Sequence, residues 1–436
     1  MFAAIVVVAI AAAPGSGAVE AAPVQDDLVR LNEIQVIGSH NSYHLAATPE
    51  ESTLRRSFIG VAEDRLLYQH DPLDIQFASQ RVRQIELDVF VDSAGGRYAT
   101  PLLRSATGQG PHDPVMSQPG LKVFHVQDVD YHSTCLTLVA CLETVESWSA
   151  ANPTHLPLAI LLELKDDPLE IGDIDFVDPE PFDAAALDSV DAEIRSVFDE
   201  DHLLTPDDVR GDHDTLEEAV LTDGWPTLGE SRGKVMFLMD NGGEERDLYR
   251  DGHPSLEDRV LFTNGVPGEA DAAFVKENEA IGNGERITEL VEAGYLVRTR
   301  ADVETIEARA NDTARRDAAL ASGAQWVSTD YPVPNHGFGF ATDYSAGIPG
   351  GTVARCNPVN GPAGCVSADL EPVTTPPAAG PTTGSTTTVA TPARPKAAPP
   401  ATPVKARARF TGCAAACVPP ERPVLPPCLA TDGATL

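Results

Sequence analysis

Short runs of Val, Ile, Leu and Phe recur along the chain, and each breaks off into polar residues. Eight stand out: IQVIG (34–38), VRQIELDVF (82–90), LKVFHV (121–126), PLAILLEL (157–164), KVMFLM (234–239), RVLFTN (259–264), GYLVRT (294–299) and AQWVST (324–329). Several are continuously apolar, as strands covered on both faces are. Segments with apolar residues at helical spacing lie between many of them: 135–148, 182–198, 271–280 and 303–323. Gly294 and Gly323 supply C-terminal stops just before the next strand. Strands alternating with helices predict an α/β fold, a (β/α)8 TIM barrel. The stretch after the second strand reads as loop, which makes the barrel irregular.

Composition marks off the ends. Residues 1–21 carry an apolar stretch, Phe2–Ala13, then small residues with candidate cleavage points after Ala18 and Ala21. This is the pattern of a secretory signal peptide without its positive n-region, and it predicts export. The apolar stretch is too short for a comfortable membrane span. The barrel is expected over 24–344 and a cysteine-bracketed loop over 345–370. Residues 371–436 form a Pro/Thr/Ala-rich low-complexity tail that cannot bury enough apolar surface to fold, and is read as a disordered spacer in preference to a segment that associates the exported protein with the cell envelope. Seven cysteines fit an oxidising compartment. Cys135 and Cys141 are a predicted disulfide, Cys356 and Cys365 bracket a Pro/Gly loop, and Cys413, Cys417 and Cys428 leave one cysteine over.

The formal net charge is −35, from 66 acidic against 31 basic residues. A surface this acidic repels nucleic-acid phosphates, so no nucleic-acid partner is expected. It also opposes anionic lipid, so transient membrane contact requires calcium bridging, exposed apolar loop tips such as TPLL (100–103), or a monomeric substrate. The chain is expected to act as a monomer.

The chemistry is concentrated where strands end, which in a barrel is one mouth. The first strand delivers His40 and Asn41, the second Glu86 and Asp88, the third His125, and the fourth Glu163 and Lys165. The seventh ends in Arg298 and Arg300 and the eighth in Asp330. Glu86 and Asp88 are two apart and point to one side of their strand. Three carboxylates gathered in a partly buried site disfavour one another and need a counter-charge. Lys165, Arg298 and Arg300 can supply one. A hard divalent cation supplies it better, and an all-oxygen set completed by the Asn41 carbonyl suits Ca2+. Mg2+ would keep more waters, and zinc would take the histidines. With a metal on the carboxylates, His40 and His125 are free to act as general acid and base beside a phosphoryl group.

Four segments, SHNSYH (39–44), RQIELDVF (83–90), VFHV (123–126) and LAILLELKDD (158–167), together resemble the catalytic half of the calcium-dependent phosphoinositide-specific phospholipase C family. The secreted bacterial type is the nearer comparison, since no accessory modules are present in the sequence. The resemblance implies a phosphodiesterase barrel in which His40 and His125 form the acid/base pair. It implies that Asn41, Glu86, Asp88 and Glu163 bind Ca2+. It also implies a reaction in which a ring hydroxyl of phosphatidylinositol attacks phosphorus, releasing diacylglycerol and a cyclic inositol phosphate. Lys165, Arg298, Arg300 and Asp330 are the candidate substrate contacts, against a plainer role in barrel salt bridges. The substrate-binding lysines of the eukaryotic enzymes have no clear counterparts, so plain phosphatidylinositol or a glycolipid, without extra ring phosphates, is the expected substrate. Tyr43 and His44 are read as local packing, and His132 stands as the rival partner to His125.

Two other functions compete. A glycerophosphodiester phosphodiesterase shares this barrel style but follows its first histidine with arginine, where this chain has Asn41. A non-catalytic envelope-binding barrel would be expected to have lost one of the two histidines.

Overall fold

The computed structural model describes residues 25–334 and 342–371. The leader and the tail therefore lie outside the described residues, apart from Glu371. Ten strands form one sheet: β1 (Ile34–Ser39), β2 (Val82–Phe90), β3 (Lys122–Val123), β4 (Leu158–Leu164), β5 (Val235–Met239), β6 (Leu261–Phe262), β7 (Phe274–Lys276), β8 (Leu296–Arg300), β9 (Trp326–Thr329) and β10 (Ala354–Cys356). Eight of them run side by side in the order β6-β5-β4-β2-β1-β9-β8-β7, parallel at each pairing. A parallel bridge from Asn264 to Phe274, with Gly265 N–H donating to the Phe274 carbonyl at 2.9 Å, joins β6 to β7 and closes the barrel.

Two elements differ from the sequence expectation. LKVFHV is no stave of the barrel: only Lys122 and Val123 form a strand, and they pair antiparallel with Val89 and Phe90 at the far end of β2. β2 already has β1 and β4 as its barrel neighbours, so this pair extends past the circuit. The eighth stave comes instead from 271–280, where a helix was predicted. Ala272, Ala273, Phe274 and Val275 are all buried, as in a strand covered on both faces, and the helix begins only at Ala280. A run this short satisfies either period, and the barrel's need for an eighth parallel stave decides it. The helix predicted over 303–323 is two, Ile306–Ala310 and Ala314–Ala321, broken at Asn311 with φ 51°.

Other expectations meet the structure directly. The helix Leu138–Ala151 starts at Thr137, whose hydroxyl accepts from Ala140 N, and Ala184–Val197 starts at Asp183, whose carboxylate accepts from Ala186 N. Gly294 (φ 113°) ends the helix Ala280–Ala293, and Gly323 (φ 84°) follows the last barrel helix. Cys135–Cys141 and Cys356–Cys365 are disulfides. The cysteine-bracketed segment is more than a loop, because β10 pairs antiparallel with Ile34–Val36 at the start of β1. Glu371, the first residue of the predicted tail, is ion-paired to Arg83. TPLL is not an exposed tip, since Pro101 and Leu103 are buried. Among the described residues, no helix is long and apolar enough to cross a membrane.

Apolar side chains fill both faces of the staves: Ile160, Leu162 and Phe237 on one face, and Leu161 and Leu238 on the face shared with Glu163, are fully buried. β2 is buried along all nine residues despite Arg83, Gln84, Glu86 and Asp88, so the interior near the mouth is built from polar side chains. Closure depends on Gly265, where an added Cβ would come within 2.7 Å of Ala272 Cα. Gly265→Ala is therefore expected to loosen the β6–β7 seam and cost about 1–3 kcal/mol of stability, read from denaturant unfolding.

Candidate functional site

Register places the charges. In parallel pairing, Asp88 lies opposite Glu163 and Lys276 opposite Arg298, so each pair shares a face of the sheet. Glu86 and Asp88 face one side of β2, as the two-residue spacing predicts. One carboxylate oxygen from each of Glu86, Asp88 and Glu163 falls within 4.8 Å of the others. The three predicted metal-binding carboxylates thus do converge.

The first strand brings the rest. His40 follows Ser39, and its N–H donates to the Thr329 carbonyl at 3.0 Å. Asn41 sits at φ 45°, a left-handed conformation that Asn tolerates better than most side chains. The chain thereby turns back onto β2, where Ser42 N–H donates to the Glu86 carbonyl and Glu86 N–H to the Ser42 hydroxyl. The burst of polar residues after β1 is thus a turn stitched to the strand that carries the carboxylates. Asn41 Nδ2 donates to the Tyr68 hydroxyl at 2.9 Å, while its Oδ1 is buried without a hydrogen-bond partner.

The electrostatics show what the cluster lacks. Arg298 is ion-paired to Glu86 Oε2 and donates to Asn278 Oδ1, and Lys276 is ion-paired to Asp240. Lys165 lies 2.9 Å from Glu163 and 3.7 Å from Asp88. Neither oxygen of Asp88, fully buried, accepts a hydrogen bond. Burial, then Glu163, drives its carboxyl well above the usual range, with Lys165 opposing. Burial also raises Glu86 in spite of Arg298. Glu163 goes the other way: against burial, Lys165 holds it down at about 2. The protein's own cations do not satisfy the set. Orphaned oxygens on Asn41 and Asp88 beside two further carboxylates fit a hard, oxygen-loving cation such as Ca2+.

Each histidine is backed by an aspartate. His40 Nδ1 lies 2.7 Å from Asp330 Oδ1, and its Nε2 is 3.7 Å from Glu86 Oε1. His125 Nδ1 lies 2.8 Å from Asp130 Oδ2. Burial lowers both rings, His40 to about 3 with Arg300 adding and Asp330 opposing, and His125 against the pull of Asp130. With Nδ1 hydrogen-bonded to a carboxylate, Nε2 is the nitrogen left for proton transfer.

The four candidate substrate contacts are all engaged by the site's own charges. Arg298 serves Glu86, Arg300 bridges Asp330 and Asp302, Asp330 orients His40, and Lys165 sits between Glu163 and Asp88. His132, the rival to His125, is hydrogen-bonded to Glu51 instead. Asp130, Lys276 and Tyr68 went unrecognised in the sequence. Asp130 lies five residues past His125 on the returning leg of a tight turn through Asp128 (φ 66°), and no strand period points to it. Lys276 was hidden in the mistaken helix.

Residues 29–358 match the family model described as "Phosphoinositide phospholipase C, Ca2+-dependent". Solved structures with a similar fold include a calcium-dependent phosphoinositol-specific phospholipase C from a Gram-negative bacterium, Pseudomonas sp. It is 16% identical, with a TM-score of 0.46 over 76% of this chain and 97% of that one. A Ca2+-dependent phosphatidylinositol-specific phospholipase C from Streptomyces antibioticus is 17% identical, with a TM-score of 0.44 over 70% of this chain and 95% of that one. No curated protein matches.

Asp88→Asn replaces a buried carboxyl whose counter-charge in the calcium-free protein is Lys165 at 3.7 Å, shared with Glu163. It is expected to raise the calcium-free Tm while weakening Ca2+ binding at least ~10-fold, measured by calorimetric titration. Unchanged affinity would remove Asp88 from the metal shell.

Proposed function

Because this chain belongs to the Ca2+-dependent phosphoinositide phospholipase C family, we propose that it cleaves the glycerophosphate bond of phosphatidylinositol-type lipids with His40 and His125 as the acid–base pair. The observation that carries this reading is the coincidence, at one barrel mouth, of two aspartate-backed histidines and a carboxylate–amide set short of positive charge. Asn41, Glu86, Asp88 and Glu163 would hold calcium. Bound there, it supplies positive charge to the phosphoryl oxygens as charge builds on them.

The remaining chemistry belongs to the side chains. A ring hydroxyl of the inositol attacks phosphorus, and one imidazole Nε2 takes its proton. The other imidazole, entering the step protonated on both nitrogens, gives its Nε2 proton to the glycerol oxygen as the P–O bond breaks. The products are diacylglycerol and a cyclic inositol phosphate. Asp330 keeps His40 in the tautomer that presents Nε2, as the carboxylate does in other His–Asp pairs. Arg300 holds Asp330 in turn, so this arginine acts on the reaction through His40. Lys165, between Glu163 and Asp88 and a quarter exposed, is the cation best placed to meet the substrate phosphate once calcium takes over those carboxylates.

Several features support an exported enzyme that meets lipid transiently. Two disulfides suit an oxidising compartment. Val61, Val266, Ile281 and Ile306 are more than half exposed, and each lies on a segment leaving the C-terminal end of a barrel strand, the end that carries the site.

Incubation with phosphatidylinositol or a glycerophosphodiester, with calcium or a chelator, followed by phosphorus NMR, tests the reaction. Calcium-dependent appearance of a cyclic inositol phosphate is expected, and turnover of the glycerophosphodiester alone would replace this reading with its rival. His40→Ala and His125→Ala are each expected to lower kcat by at least ~10^2 with calcium binding retained. Normal turnover in either would refute the pair.

A further inference from the structure

A group of buried charges behind His125 takes no part in the reaction as written above. Asp130 Oδ2 accepts from two imidazoles, His125 Nδ1 at 2.8 Å and His44 Nε2 at 2.9 Å. Its other oxygen, Oδ1, accepts from Arg55 Nη1 at 2.5 Å. Arg55 is gripped in turn by Glu63, at 2.6 and 3.1 Å, and donates to the Val129 carbonyl at 2.8 Å. His44, Arg55, Glu63 and Asp130 are all 0% exposed. Burial opposes a charge on Asp130, yet Arg55 and the imidazoles hold its carboxyl well below the usual range.

The network also reaches the metal side. His44 Nδ1 lies 3.1 Å from the Tyr68 carbonyl, and its ring stacks on Tyr68 at 4.3 Å. The Tyr68 hydroxyl accepts from Asn41, whose free Oδ1 belongs to the calcium set. A continuous run of contacts therefore links His125 to Asn41 through Asp130, His44 and Tyr68.

Burying an arginine with two carboxylates is costly, and an apolar cluster would tie the Pro49–Ile59 helix to the 125–132 loop as well. What apolar packing cannot do is present an acceptor to one ring nitrogen. His44, His125 and Asp130 also lie close enough to share a metal, but the guanidinium on Asp130 disfavours a second cation there.

We infer that Asp130 is a positioning residue for the reaction proposed above. Its carboxylate fixes His125 with Nδ1 protonated and Nε2 turned to the substrate phosphate, and Arg55 and His44 fix Asp130 in that pose. The inference rests on the acid–base reading of His125. The two catalytic rings are then held by equivalent devices, Asp330 on His40 and Asp130 on His125, both aspartates being buried.

Asp130→Asn keeps the shape and loses the charge. The expected result is a fall in kcat of ~10^2 to 10^4 with KM for phosphatidylinositol and Ca2+ affinity nearly unchanged. Asp130→Asn combined with His125→Ala should be no slower than His125→Ala alone, because the two act as one unit. An Asp130→Asn enzyme within threefold of wild type, beside a slow His125→Ala, overturns the inference and leaves the acid–base reading standing. Full turnover in His125→Ala overturns both. Should Asp130→Asn fail to fold, nitrogen-15 NMR of the wild-type His125 ring decides: a protonated Nδ1 supports the inference whatever the state of Nε2, and a bare Nδ1 overturns it.

Discussion

Carboxylates turned inward at the mouth of a closed barrel need more positive charge than the barrel supplies, and the rest of the site follows from that shortfall. Arg298 is taken by Glu86, Lys276 by Asp240, and Lys165 is divided between Glu163 and Asp88. Among the oxygens left without a hydrogen-bond partner are both of Asp88 and the carbonyl of Asn41. A bare arrangement of this kind is unfavourable in a low dielectric unless a cation completes it. Membership of a calcium-dependent family and an all-oxygen donor set agree on what that cation is.

The same economy explains why the histidines need aspartates of their own. Arg298 and Lys165 already engage the clustered carboxylates, so an imidazole beside them finds no free acceptor there to fix its Nδ1. Asp330 and Asp130 provide one each, from different parts of the chain. The barrel holds the first aspartate at the end of β9, a rigid support. The second sits on a loop, and the loop is made rigid by Arg55, Glu63 and His44 packed around it. Rigid support matters because proton transfer depends on distances that a loose side chain would not hold.

How much of this was legible in the sequence varied with the range of the interaction. Glu86 and Asp88 could be placed together because a strand's two-residue period is local, and His40 with Asn41 because they follow a strand directly. The strand at 274–276 was read as helix because three residues carry no usable period. Residues 121–126 were read as a stave because apolar alternation does not say which neighbour a strand will choose. Arg298 and Arg300 were correctly put at the mouth, but whether a cation there meets substrate or a buried carboxylate depends on what stands across the barrel.

The amino-acid sequence alone determined the fold class and the common face of Glu86 and Asp88, since each rests on residue type at a local spacing. Only the tertiary structure decided which charges neutralise which, where the barrel closes, and that Asp130 and Asp330 stand behind the imidazoles. The physical reason is that a buried charge is settled by its nearest neighbours in space. In a closed barrel those neighbours come from strands and loops that may be more than two hundred residues apart, as Glu86 and Arg298 are.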